Sequence, residues 1–345
     1  MDYAIVIATR NRPEALRLSI PRMLEQSSPP SQLIVIDSSD DHESVVTAVR
    51  EAVGDSQVDL IVSPGRRGAS AQRNHGLESV RCPVVIFPDD DSIWFPGVAA
   101  EIMSVYEHDT ECRFSAVCGA ESHEPPPGFL EEARGKYQMR FKERLKQRLG
   151  HHRARIEKAL FPDPAHIIGQ SYFSRCPVTD WMKENNVVPV EWMTGFRMSF
   201  RTEVIREFGF PEDMGHYSII EDIDASFNAW KRGAVVAARN AQVFHYKSPE
   251  RRAGGKRLGV MQILNKAFVV AKFTPPGDPA RAAMRRFARY KVLQYSVGGR
   301  DAFGKERFSG ARAALDVVGP ILEASSDEVP AIYQEVVAQC LPGGE

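Results

Sequence analysis

The first hundred residues alternate between two textures, and that alternation leaves the chain few folds to choose from. "YAIVIA" is a short apolar, partly β-branched run of the kind buried on both faces of a sheet. "NRPEALRLSIPRMLEQ" follows as a helix, with Asn11 placed to cap it, Pro13 in its first turn and Pro21 expected to kink it. "QLIVID" is a second strand, and "ESVVTAVREAV" a second helix whose Val45, Val46, Val49 and Val53 share a face. "VDLIVS", "GASAQRNHGLESV" and "PVVIF" supply the third strand, the third helix and the fourth strand. Such a β-α-β-α-β-α-β series calls for right-handed crossovers and predicts an α/β fold on a mainly parallel sheet.

In an open sheet of this kind, ligands bind beyond the carboxyl ends of the strands. Three polar clusters fall there: Thr9-Arg10-Asn11, Asp37-Ser38-Ser39 and Asp89-Asp90-Asp91. Gly65 to Gly68 follows the third strand and brings Arg66 and Arg67 to the same edge, with Arg73 and Asn74 on the helix behind. Carboxylates suited to a sugar or base, and cations suited to phosphates, thus converge on one crevice. Adjacent carboxylates repel, and more so where water is partly excluded, so the triplet is either a solvated turn or a cation site. A hard divalent ion such as Mg²⁺ or Mn²⁺ binds through one or two carboxylates plus substrate phosphates. An extended segment would point Asp89 and Asp91 the same way. Acidic turns are common, but the position beside two other polar strand ends favours a metal or ligand.

The middle of the chain, from about Glu121 to Glu191, loses the alternation. It includes "EEARGKYQMRFKERLKQRLGHHRARIEKALF", a basic helical stretch whose simplest role is a solvated face. A globular texture returns from Trp192 to His245. In "SIIEDIDASFNAWKRG", Ile223, Phe227 and Trp230 share a helical face and read as core. Glu221 and Asp222 then open that helix, either as carboxylates favoured by its dipole or as a general base facing the crevice. Alone, the pattern favours the first role. "NAQVFHYKSPERR" ends a strand at His245; a lone histidine is more often structural, yet a two-carboxylate site would welcome it as a ligand. After Ser248 come two basic, amphipathic helical segments, "RLGVMQILNKAFVVAKF" and "PARAAMRRFARYKVLQYSV".

Taken in order, these stretches resemble the inverting nucleotide-sugar transferases of glycosyltransferase family 2. "IVIATRNRP", "LIVIDSSDDHES", "GASAQRNHGL" and "VVIFPDDDS" are similar to the family's opening turn, base-binding Asp, Ser-x-Ala-Arg-Asn-x-Gly helix and DxD strand end. "VEWMTGFRMSFRTEVIREFGFPEDMGHYSIIEDIDASFNAWKRG" resembles its longest signature, which ends in Glu-Asp. The resemblance implies a GT-A fold: a Rossmann-like nucleotide-binding half over 1–115, an acceptor half over 116–250 with the basic insertion at about 121–191, and a C-terminal helical appendage over 251–345. It implies a metal-dependent inverting transfer of one hexosyl or deoxyhexosyl unit from a UDP-, dTDP- or GDP-linked donor to a glycan, glycolipid or small-molecule acceptor. Thr9, Asn11, Arg12, Asp37, Arg66, Arg73, Asp89 and Asp90 would hold the donor, and Asp91 with His245 would hold Mn²⁺ or Mg²⁺. Asp222 would be the base with Glu221 as its neighbour, and Trp192 and Gly195 would line the acceptor side. "PGRRG" replaces the usual Asn-x-Gly start of the third helix, Asn228 stands where Arg is common, and Pro88 precedes the triplet where Leu is usual. The Gln-x-x-Arg-Trp motif of processive synthases is missing, which favours one transfer per encounter.

Bulk properties narrow the alternatives. A formal charge of -1 argues against a nucleic-acid binder, although the basic helices permit contact with an anionic membrane. Five cysteines without metal-ligand pairing fit a reducing compartment. "MDYAIVIATRNRP" lacks the basic start of a signal peptide, and no apolar run reaches the roughly 18 to 20 residues that span a bilayer, so the expected location is cytoplasmic. Two other classes compete. One is a non-catalytic scaffold that kept the fold; the other is a haloacid-dehalogenase-like phosphohydrolase with Asp89 as nucleophile. The latter needs Thr or Val four residues on, where this chain has Ile93.

Overall fold

A computed structural model describes residues 1–129, 161–215, 219–247, 254–299 and 301–342. The basic stretch over 131–161 lies outside the described residues except for Phe161. The chain forms two compact units: one takes 1–129, 172–215 and 221–247, the other 161–171, 219–220, 254–299 and 301–342.

The first unit opens with β1 (Tyr3–Thr9), α1 (Pro13–Leu24), β2 (Gln32–Asp37), α2 (His42–Val53), β3 (Asp59–Pro64), α3 (Ala69–Glu78) and β4 (Val84–Phe87). It continues through β5 (Ser92–Trp94), α4 (Val98–His108), β6 (Phe114–Ser122), and, after α5 (Pro164–Phe173), α6 (Asp180–Glu184), β7 (Val187–Pro189), β8 (Met198–Arg201), α7 (Thr202–Phe208), α8 (Glu221–Trp230) and β9 (Ala234–His245). Among the described residues the strands make one sheet of nine, in the order β3-β2-β1-β4-β8-β6-β9-β5, with β7 on β9. The first four strands are parallel, as their helical crossovers require. Beyond them the sheet is mixed, because β8 runs antiparallel to both β4 and β6 while β6 and β9 are parallel.

The period of two along each strand divides the core. Tyr3, Ile5, Ile7, Leu33, Val35, Val84 and Ile86 face the layer that holds Leu16 and Ile20 of α1, Val45 and Val49 of α2, and Ile102 of α4. Ala4, Val6, Ile34, Ile36, Val85 and Phe87 face the opposite layer with Leu77 of α3, Ile205 of α7 and Ala225 of α8. Gly76 is what lets α3 lie this close to β1, since a β-carbon there would collide with Val6. Two local expectations change. Arg12, not Asn11, is the N-cap residue of α1, and Asn11 adopts φ 56° with its side-chain amide donating to Asp40 at 3.0 Å. As the sequence pattern requires, helix α1 continues through Pro21, to Leu24. On α2, Ala48 is buried where Val46 is only half-buried.

The second unit is helical: α9 (Gly255–Phe273), α10 (Pro279–Gly298), α11 (Ala302–Val317), α12 (Gly319–Glu323) and α13 (Val329–Cys340). Helix α9 is buried almost all round from Gly259 to Ala271, so it is the centre of the bundle and not the amphipathic surface helix its composition suggests. Its Lys266 is buried against Asp163 and lies 4.7 Å from the Phe287 ring centroid. Arg281 of α10 is also buried, donating to the carbonyls of Leu322 at 3.1 Å, Ala324 at 2.6 Å and Ala271 at 2.8 Å. No described helix is long and apolar enough to cross a membrane. Helices α9 and α11 touch through backbone: a β-carbon on Gly259 would strike the Arg307 carbonyl, and one on Gly310 the Lys256 carbonyl. Gly310→Val is therefore expected to lower stability by about 3 kcal/mol, the upper end of overpacking costs. The urea midpoint reads this, and an unchanged midpoint would mean that the two helices do not meet there.

Candidate active site

Strand β4 ends at Phe87, and the chain then turns instead of continuing extended. The Ser92 amide donates to the Asp89 carbonyl at 3.0 Å, the Ser92 hydroxyl accepts from the Asp89 amide at 3.0 Å, and that hydroxyl donates to the Phe196 carbonyl at 2.8 Å. The expected two-residue alternation is therefore not what aligns Asp89 with Asp91. Instead Ser92 begins β5, which pairs antiparallel with β9 so that His245 stands opposite Ser92. Ligand atoms of Asp89, Asp91 and His245 lie within 4.8 Å of one another. His245 Nε2 is 3.2 Å from Asp91 Oδ1 and 4.0 Å from Asp89 Oδ2, and its ring stacks on Phe196 at 4.6 Å. Burial disfavours the imidazolium, but the hydrogen bond and charge of Asp91, with the charge of Asp89, outweigh it and raise the histidine pKa.

Asp90 turns the other way. It is buried and accepts from Thr9 Oγ1 at 2.8 Å and Arg12 Nη1 at 2.9 Å, while its carbonyl accepts from Ser19 Oγ at 2.8 Å. Burial pushes this carboxyl upward, and Arg12 and Thr9 draw it back down. Three residues expected at the donor, Thr9, Arg12 and Asp90, are thus bonded to one another. They fasten the turn to β1 and α1.

On the other flank, Arg73 of α3 is buried and bridges two carboxylates. Nη1 donates to Glu221 Oε1 at 2.7 Å and Nη2 to Asp89 Oδ1 at 2.9 Å, with the guanidinium 5.3 Å from the Phe210 ring centroid. Glu221 opens α8, and Asp222 follows it. Asp222 accepts from the Gly195 amide at 3.0 Å and the Ile223 amide at 2.9 Å. Burial raises the Asp222 pKa against the pull of those two amides and of Arg73, and the net shift is upward. A carboxylate with raised proton affinity suits a general base. Gly195 lies over the same cluster: a β-carbon there would sit 3.6 Å from Arg73 Nη2, 3.7 Å from Glu221 Oε1 and 4.0 Å from Asp89 Oδ1. Trp192, half-buried, lies three residues earlier in the chain.

The loops after β1 and β2 are stitched together. Asp37 is buried and accepts from the Ser39 amide at 2.9 Å and pairs with His42 Nδ1 at 2.8 Å, while Ser39 Oγ accepts from the Asn11 amide at 2.6 Å. Arg66 is exposed and pairs with Glu212 at 2.7 Å, so the structure does not bring it to the carboxylate cluster. Ser92, Phe196 and Phe210 had no expected role. Ser92 adjoins the triplet, and nothing in the residue pattern marks the two aromatics. Two carboxylates and an imidazole converging on one point form a donor set that fits a divalent cation, with Arg73 on Asp89 and Arg12 3.6 Å from Asp91 as flanking guanidiniums.

Comparison with known proteins points to one family and one fold. The model of glycosyl transferase family 2 matches residues 4–175. The succinoglycan biosynthesis protein ExoU of Rhizobium meliloti (strain 1021) is 27% identical over 105 residues, a match that spans 30% of this chain and 30% of that relative. Among solved structures, the mannosyltransferase PcManGT from Pyrobaculum calidifontis in complex with GDP-Man and Mn²⁺ superposes with a TM-score of 0.53 at 14% identity, covering 99% of this chain and 88% of that one. GalNAc-T7 with UDP, GalNAc and Mn²⁺ gives a TM-score of 0.53 at 11% identity, over 99% of this chain and 58% of that one. S. aureus TarS 1-349 in complex with UDP-GlcNAc gives 0.50 at 11% identity, over 99% and 88%. At these identities the likeness is one of fold, the GT-A architecture. If the Asp89–Asp91–His245 set is the cation site, Mn²⁺ added to the protein loses its free-ion electron paramagnetic resonance signal. Asp91→Ala and His245→Ala are each expected to weaken that uptake by more than roughly tenfold, and equal uptake by all three proteins would move the site elsewhere.

Proposed function

Since the chain belongs to glycosyltransferase family 2, we propose that it moves one sugar from a nucleoside-diphosphate donor to an acceptor hydroxyl in a single inverting displacement. The observation that carries this reading is the gathering of Asp89, Asp91, His245, Asp222 and Gly195 around Arg73, a cation-binding set and a candidate base within one constellation. The donor would lie across the strand ends. Asp37 and Thr9 would flank its base and ribose, Asp89 would face the ribose, and Arg73 would add positive charge near the diphosphate. Asp91 and His245, with Asp89, would hold Mn²⁺ or Mg²⁺, an ion that neutralises charge on the departing nucleoside diphosphate.

Asp222 does the proton chemistry in this scheme. Its carboxylate takes the proton of the acceptor hydroxyl as that oxygen attacks the anomeric carbon from the face opposite the leaving group. The bond to the diphosphate oxygen breaks as the new carbon–oxygen bond forms, through an oxocarbenium-like state, and the anomeric configuration inverts. The amides of Gly195 and Ile223 hold the carboxylate in place without using all of its acceptor capacity. Glu221 stays on Arg73 and keeps the start of α8 against the turn at Asp89. Trp192 and Gly195 lie towards the acceptor, which would be a glycan, a glycolipid or a small hydroxyl compound. Burial raises the Asp222 pKa, the direction that strengthens its carboxylate as a proton acceptor.

The test begins with calorimetric titration of UDP, dTDP and GDP, each with and without Mn²⁺. One of them should bind in a metal-dependent way, and loss of that binding in Asp91→Ala ties it to the turn. Asp222→Asn should bind the same nucleotide as well as wild type does while releasing it from the matching nucleotide sugar roughly 10² to 10⁴ times more slowly, the usual contribution of a general base. Unchanged turnover in that variant would remove Asp222 from the mechanism.

A further inference from the structure

The outer face of α10 carries a surface that the transfer chemistry does not use. Ala282, Arg286, Arg289, Leu293 and Val297 are all exposed and recur every three or four residues, so they form one stripe along the helix. The stripe is ordered: two guanidiniums first, then two aliphatic side chains, with Leu293 61% and Val297 76% exposed. Helix α10 contains no Asp or Glu at all. Its other basic residues include Arg281, buried on carbonyl oxygens, and Arg285, 3.0 Å from Glu323. Arg286 and Arg289, by contrast, have no carboxylate partner among the described residues. Phe303, 44% exposed, begins α11 just after the turn, next to Gly304, which packs against Gly299. The nearby Asp301 carboxylate is engaged as the α11 cap, accepting from the Gly304 amide at 2.8 Å.

We infer that this face docks on an anionic lipid surface, with Leu293 and Val297 entering the interface and Arg286 and Arg289 meeting lipid phosphates. Exposed aliphatic side chains grouped at one end of a helix are costly in water and gain when placed among acyl chains. Guanidiniums one to three turns away on the same stripe lie where the headgroup phosphates of such a surface would be. A soluble partner would need acidic and apolar groups matched to the same stripe, whereas an anionic bilayer offers both without further design. The inference is independent of the proposed transfer reaction, because none of these residues belongs to the carboxylate cluster.

The experiment is flotation of the full chain with vesicles of phosphatidylcholine alone and of phosphatidylcholine with phosphatidylglycerol, alongside light scattering of the protein without lipid. Wild type should float with the anionic vesicles and not with the neutral ones. Arg286→Gln with Arg289→Gln should weaken partitioning by about fivefold per residue, roughly 25-fold together, at low salt. Leu293→Asp with Val297→Asp should abolish flotation while the melting curve stays that of wild type, since both side chains are exposed. Three results would overturn the inference. Wild type could stay with the unbound fraction, both double variants could float as well as wild type, or wild type could be a dimer that Leu293→Asp with Val297→Asp makes monomeric with no change in flotation.

Discussion

The guanidinium of Arg73 is held by two carboxylates, one 16 and the other 148 residues away along the chain. A buried cation is expensive unless its charge and its donors are met, and here Asp89 and Glu221 meet them together. Each carboxylate lies within two residues of another acid of the cluster. Asp91 lies two residues beyond Asp89, and Asp222 directly follows Glu221. Fixing the paired carboxylates therefore fixes the turn that bears Asp91 and the helix start that bears Asp222. The parallel half of the sheet brings α3 and its arginine to the strand ends, and the antiparallel half brings His245 and Gly195. Arg73 is where the two halves of the first unit become one site.

What could be read in advance follows from how local each signal is. The runs "YAIVIA" and "QLIVID" are buried on both faces, and continuous apolar character is the direct mark of such strands, so β1 and β2 were plain. Asp89, Asp91, Asp222 and His245 were picked out by their order along the chain and their place at strand and helix ends, since each alone has an ordinary structural reading. Other features depend on pairings that no short window contains. Strand β8 enters between β4 and β6 in the antiparallel sense, and nothing in "MSFR" announces that partner. The same holds for the turn at Asp89, whose shape comes from Ser92 reaching the carbonyl of Phe196, more than a hundred residues away. Asn11 looked like a cap because its type favours caps, yet Asp40 on a separate loop captures its side chain.

The helical unit shows a different limit. Basic residues in "RLGVMQILNKAFVVAKF" and "PARAAMRRFARYKVLQYSV" look alike on paper, but their surroundings divide them. Lys266 is buried beside Asp163, and Arg281 satisfies carbonyl oxygens where α9, α10 and α12 come together. Burial depresses the Arg281 pKa, the direction expected when a cation has dipoles but no carboxylate in direct contact. Charge counting treats such residues as surface. Gly259 on α9 and Gly310 on α11 let the two helices approach to backbone contact, and one glycine in a helix is too faint a signal to mark a central segment.

The three adjacent aspartates also divide by direction, and that bears on how a mutational survey of this enzyme class should be read. Asp89 and Asp91 turn towards His245, while Asp90 is tied to Thr9, Arg12 and, through its carbonyl, Ser19. If the proposed cation site is right, an alanine at any of the three would lower the output of an activity screen, so the screen alone would score them as equals. The middle position differs in kind: its loss would loosen the hinge on which both neighbours hang, and the defect would surface as heat sensitivity or poor yield. In libraries ranked by turnover alone, Asp90 would pass for a chemical group, although what it contributes is the posture of the other two.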